Sequence, residues 1–133
     1  MNTLNAKIVK ISNVDNLNIV VFDSCSETLS MMSLDLDNSL KVGTKVKLAV
    51  KSSHLAIAKD FDGMLSYSNQ LKCLIKSVNN GQLLSSIHLD FCGIILEALI
   101  TKNSSLRMNL QVGDSVTALI KASELSISEI IDD

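Results

Sequence analysis

Two short segments of this chain carry a lysine, a small residue and a serine in succession: Lys51-Ser52-Ser53 and Lys121-Ala122-Ser123. An ammonium group, hydroxyls and the backbone N–H groups of a strand-end corner are all donors, and no carboxylate stands among them. Convergent donors with compensating positive charge are what a tetrahedral oxyanion needs. If the chain stays extended, alternate side chains share a face, so Lys51 would lie with Ser53 and Lys121 with Ser123. A corner would instead turn backbone N–H groups inward. A single Lys-x-Ser at a strand end reads best as a solvated corner, and it is the second copy that raises the anion reading to equal standing.

Each tripeptide closes a longer cassette. Val42-Gly43-Thr44-Lys45-Val46-Lys47-Leu48-Ala49-Val50-Lys51-Ser52-Ser53 returns as Val112-Gly113-Asp114-Ser115-Val116-Thr117-Ala118-Leu119-Ile120-Lys121-Ala122-Ser123, with Val, Gly, Val, Lys and the final Ser in register. Self-similarity at a fixed offset defines the building block. The 133 residues therefore divide into two units, 1–62 and 63–133, with Asp60-Phe61-Asp62-Gly63 as the linker. Units this small bury little surface alone, so they are expected to pack on one another and on further copies of the chain.

Composition narrows the classes. Hydrophobic residues are 47% and charged residues 20%, a globular balance, while aromatics are only 3%. A formal net charge of −2 removes the long-range attraction of a nucleic-acid binder, so any anion must be captured locally. No apolar run reaches the length of a membrane span, and Met1 to Lys7 has no secretory pattern; a cytoplasmic protein is expected. Cys25, Cys73 and Cys92 show no short pair spacing, which predicts reduced, structural cysteines and neither a disulfide framework nor a zinc site.

The positioning elements are strands. Short aliphatic and β-branched runs between turn residues predict an all-β fold. In the first unit the strands fall near Leu4–Ile11, Leu17–Asp23, Thr28–Ser33, Lys45–Lys51 and His54–Ala58. In the second they fall near Gln70–Val78, Leu83–Phe91, Gly93–Thr101, Ser115–Lys121 and Glu124–Ile127. The polar segments Leu34 to Leu40 and Lys102 to Leu110 have room for one helical turn each, with Asn103, Ser104 and Ser105 as candidate N-caps. Asn79-Asn80-Gly81 predicts a tight hairpin whose residues tolerate positive φ, and Asn13 to Asn16 does the same in the first unit. Gly43 and Gly113 each predict a turn conformation that other residues resist.

Val112 to Ser123 resembles the closing segment of Mop domains, the molybdate-binding members of the TOBE group. Asn69-Gln70-Leu71-Lys72, preceded by Ser66-Tyr67-Ser68, resembles their opening Ser-x-Arg-Asn-Gln-Leu run, and Ala98-Leu99-Ile100-Thr101 resembles their third strand. Met31-Met32-Ser33-Leu34-Asp35 and Val42 to Ser53 carry the likeness into the first unit. A pair of such units is similar to the molbindins. The resemblance implies two tandem five-stranded β-barrels of the oligonucleotide/oligosaccharide-binding type, assembled as a homo-oligomer, with a trimer favoured over a dimer. It also implies cytoplasmic binding of molybdate or tungstate for storage or homeostasis, at contacts between domains or subunits. No metal is ligated directly and no organic cofactor is involved.

Carried over by position, the resemblance marks Ser66, Ser68, Asn69 and Thr101 with Lys121, Ala122 and Ser123, and in the first unit Ser33, Lys51, Ser52 and Ser53. Ser68 stands where the family has arginine, and Met1-Asn2-Thr3-Leu4 leaves no room for the Ser-x-Arg run before the first unit. The alternatives are a sensor domain pair acting with a separate regulator or transporter, and a nucleic-acid module. The scarcity of aromatic stacking residues disfavours the latter. An enzyme is not expected, because neither His54 nor His88 has a ligand or triad partner nearby in sequence. His88 reads as a strand-face residue, His54 as the better placed to touch an anion, and Glu129 to Asp133 as a solvated acidic tail.

Overall fold

The computed structural model describes residues 1–131. Among these residues, ten strands form two five-stranded sheets, as the all-β expectation requires. In the first half these are β1 (Asn2–Val14), β2 (Leu17–Ser24), β3 (Glu27–Leu34), β4 (Lys45–Val50) and β5 (Ala56–Ala58). In the second they are β6 (Asn69–Asn80), β7 (Leu84–Phe91), β8 (Ile94–Thr101), β9 (Ser115–Ile120) and β10 (Ser126–Ile131).

Strict alternation makes these segments strands. Along β1 the positions Asn2, Leu4, Ala6 and Ile8 are buried and their neighbours exposed, and Asn69, Leu71, Cys73 and Ile75 repeat the pattern along β6. One apolar face per strand then meets the others in an aliphatic core with Phe22 and Phe91 as its largest rings. Each first strand carries a bulge, between Ile8 and Lys10 and between Ile75 and Ser77. Beside each bulge, the glycine of the cassette donates its N–H to the strand: Gly43 to the Ile8 carbonyl and Gly113 to that of Ile75, both at 2.8 Å. Gly43 and Gly113 have φ of +97° and +93° with open space around them, so backbone conformation and not crowding calls for glycine. Gly81 has the opposite reason: a Cβ there would lie 2.8 Å from the Leu84 carbonyl oxygen. Close backbone approach, and not positive φ, explains that glycine.

The sheets do not follow the chain boundary at 62/63. Their strand orders are β10-β4-β1-β2-β3 and β5-β9-β6-β7-β8. The last strand of each half crosses to the other half: Ile57 pairs with Ala118 and Ile127 with Leu48. Asp60 to Gly63 therefore joins two strands of the same sheet, and the crossing points are the corners after β4 and β9. The exchange also removes the predicted acidic tail, because Glu129, Ile130 and Ile131 pair with Lys47, Val46 and Lys45; Asp132 and Asp133 lie outside the described residues.

Two further expectations are corrected. Leu34 to Leu40 holds no helix, whereas Lys102–Arg107 forms α1, capped by Thr101, whose Oγ1 accepts from the Ser104 N–H. Asn103, Ser104 and Ser105 lie inside that helix. Matching positions explain the inequality: Asn69 − Asn2 and Glu97 − Ser30 are both 67, but Val112 − Val42 is 70. The three extra residues fall between β8 and β9 and supply the turn of α1.

The cysteines are the second correction. Cys25 and Cys92, also 67 apart, are joined by a disulfide between the β2–β3 and β7–β8 turns. Both are exposed. Nothing local in the sequence marks them, because the fold brings equivalent turns of the two halves together. Only Cys73 behaves as expected; it is buried, and burial pushes its thiol up to about 11. Among the described residues, no helix is long and apolar enough to cross a membrane.

Candidate oxyanion site

Each cassette runs from a buried strand end into a tight corner. Val50 and Ile120 are buried, Lys51 and Lys121 stay extended, and one 3₁₀ turn follows, Ser52–His54 and Ala122–Glu124. The turns close through the His54 N–H to the Lys51 carbonyl and the Glu124 N–H to the Lys121 carbonyl, each 2.9 Å. Leu55 and Leu125 then anchor the chain in the core, which fixes the direction of the crossing strand.

The two corners meet. A cavity of about 320 Å³ is lined by Lys121 of one cassette and Ser53 of the other, with Tyr67, Leu99 and Ile100. A smaller one of about 200 Å³ is lined by Lys51 together with Ser123 and Met1. The corner turns the chain, so each lysine shares a cavity with the serine of the opposite copy and not with the one in its own tripeptide.

Reciprocal contacts show the relation to be a local two-fold. The Ser30 N–H donates to Asn69 Oδ1 at 2.7 Å and Asn69 Nδ2 donates to the Ser30 carbonyl at 3.0 Å. Asn2 does the same with Glu97, at 2.7 Å and 2.8 Å. Thus Asn69 is a buried brace whose amide oxygen and nitrogen are both bonded within the chain. The first unit possesses the equivalent asparagine in Asn2.

Not every predicted residue converges. Ser66 and Ser68 are exposed on the segment before β6 and line neither cavity, although Tyr67 between them does. Thr101 caps α1, and its neighbours Leu99 and Ile100 reach the larger cavity instead. Ser33 lines a separate cavity beside Asp35, Asp37 and Glu129, an acidic wall unsuited to an anion.

Within the first cassette, Ser52 Oγ donates to Glu97 Oε1 at 2.9 Å, and Ser86 Oγ donates to Oε2 at 2.6 Å. The Ser86 bond above all, and then the Ser52 bond, hold the Glu97 carboxyl below its usual range. Ser52 is thereby committed, and Ala122 at the matching position has no hydroxyl to offer. The free donors of the two copies come out alike, one lysine and the final serine. Two residues missed as a pair also line both cavities, His54 and Glu124, with His54 Nδ1 2.8 Å from Glu124 Oε2. The signal for them was available, since each directly follows the final serine of its cassette.

The family model of the TOBE domain matches residues 65–127. Over those residues the chain is similar to TOBE domains. The molybdenum import ATP-binding protein ModC of Brucella abortus (strain 2308) is 33% identical over 87 residues, and that of Brucella suis biovar 1 is equally similar. The match covers 65% of this chain but 24% of ModC, so the chain spans about a quarter of the length of these relatives. The crystal structure of the cytoplasmic molybdate-binding protein ModG, with molybdate bound, superposes with a TM-score of 0.89 at 20% identity, covering 95% of this chain and 94% of ModG. The paired arrangement seen here, TOBE-like unit plus preceding unit, is therefore the fold of that protein along nearly its full length. A molybdate-binding protein from Sporomusa ovata is 37% identical over 45% of the chain and 90% of its own, with a TM-score of 0.44.

Proposed function

We propose that this chain binds molybdate or tungstate as the intact oxyanion, for storage or homeostasis. The observation that carries the reading is the crossed pairing at the corners, where each cavity combines a lysine from one cassette with a serine from the other. The likeness of the TOBE-like unit to part of a molybdenum importer, and of the whole fold to a molybdate-binding protein, supports that choice of anion. The protein acts by binding and not by catalysis, in the cytoplasm, without nucleic-acid or membrane partners. A homo-oligomer, with a trimer favoured, gives the exposed Ser66 and Ser68 a role, because contacts between subunits bring them to sites that one chain leaves incomplete.

Calorimetric titration of the purified protein with molybdate, tungstate and sulfate tests this reading. Saturable heat with the first two at tens of micromolar, and weaker or no heat with sulfate, is expected. Silence with all three overturns it. Sedimentation velocity with and without molybdate checks the assembly, and a monomer in both conditions would remove the oligomer.

A further inference from the structure

A residue near a local two-fold faces its own counterpart. The pair at this position is unequal in the present chain: His54 faces Glu124, Nδ1 to Oε2 at 2.8 Å. Both side chains are about one-third exposed, 37% and 35%, and both line the two cavities. Each cavity thus holds one lysine and one carboxylate. A carboxylate without a counter-charge there would offset the lysine in both cavities at once and repel a dianion.

We infer that His54 sets the anion affinity of both cavities: as imidazolium it neutralises Glu124 and so sets their charge. The inference rests on the oxyanion reading above. The other ionisable groups facing the pair are Lys51 and the terminal amine of Met1 in the smaller cavity, and Lys121 and Tyr67 in the larger. Glu97 stands behind Ser52 and is faced in turn by His88, at 3.9 Å. Among these, the His54–Glu124 pair alone is shared by both cavities.

A histidine changes charge between about pH 5 and 8. An anion that prefers the imidazolium form draws a proton onto the pair, so affinity rises as pH falls. Linkage sets the limit at about tenfold per pH unit, for uptake of one full proton.

The test is molybdate titration of the full chain near pH 6 and near pH 8, each in two buffers of different ionisation enthalpy. The wild type is expected to bind several-fold more tightly at the lower pH, with heat that reports proton uptake. His54→Lys should bind with a flat profile and no uptake. His54→Gln should lose about tenfold or more at both pH values, the scale of one unpaired like charge, and adding Glu124→Gln should restore binding. His88→Gln should leave the wild-type profile unchanged. Wild-type binding that is flat with pH and takes up no proton, or His54→Gln binding like wild type, overturns the role of His54 alone. Absence of heat in the wild type at both pH values overturns the oxyanion reading with it.

Discussion

The two halves share a framework and differ in what was added to it. Asn2 and Asn69 brace opposite units through the same pair of side-chain hydrogen bonds, the bulges and glycine turns coincide, and each half donates its last strand to the other. Against that background the second half has three extra residues, which build α1, whereas in the first half the same connection lines an open cavity of about 400 Å³. The corners differ at two positions, Ser52 against Ala122 and His54 against Glu124. Duplicated parts that must close on one another keep what the two-fold requires. They diverge where a contact is local, or where two identical charges would meet.

The largest test of that comparison is the covalent bond across it. The Cys25–Cys92 disulfide closes a loop with a sequence separation of 67, which corresponds to about 4 kcal/mol of chain entropy. Cys25→Ser and Cys92→Ser should each lower the stability of the oxidised protein by that order, and the double variant should lose no more than either single one. Urea unfolding with and without reductant measures this, and a midpoint indifferent to reductant would show that the two turns are not joined. A smaller effect separates the halves. Thr101→Ala removes the cap of α1 and should cost about 1 kcal/mol, while Leu34→Ala at the matching position of the first half, exposed and without a helix to cap, should cost a few tenths.

The strands were legible because period-two burial writes itself into the residue types. Leu71, Cys73 and Ile75 could form little else, and observed strand limits fall within a few residues of those expected. The exchange of β5 and β10 was not legible. Ala56 to Ala58 would alternate correctly against either β4 or β9, and only the direction of a three-residue turn decides between them. The site was legible in part for the same reason: Lys51, Ser53, Lys121 and Ser123 were found as types, but the pairing of each lysine with the serine of the other copy was not. Thr101 was marked by resemblance as a site residue at a strand end, and its hydroxyl is the helix cap. Ser66 and Ser68 came from resemblance, and in one chain they have nothing to meet.

The crossed pairing is the central claim, and a double-mutant cycle on molybdate affinity addresses it most directly. Lys121→Ala, Ser53→Ala and Ser123→Ala are combined pairwise and titrated by calorimetry. Lys121 and Ser53 line one cavity, so their effects should be coupled, with the double variant losing less than the sum by about 0.5 kcal/mol or more. Lys121 and Ser123 line different cavities and should add. Coupling of Lys121 with Ser123, and additivity with Ser53, would contradict the account.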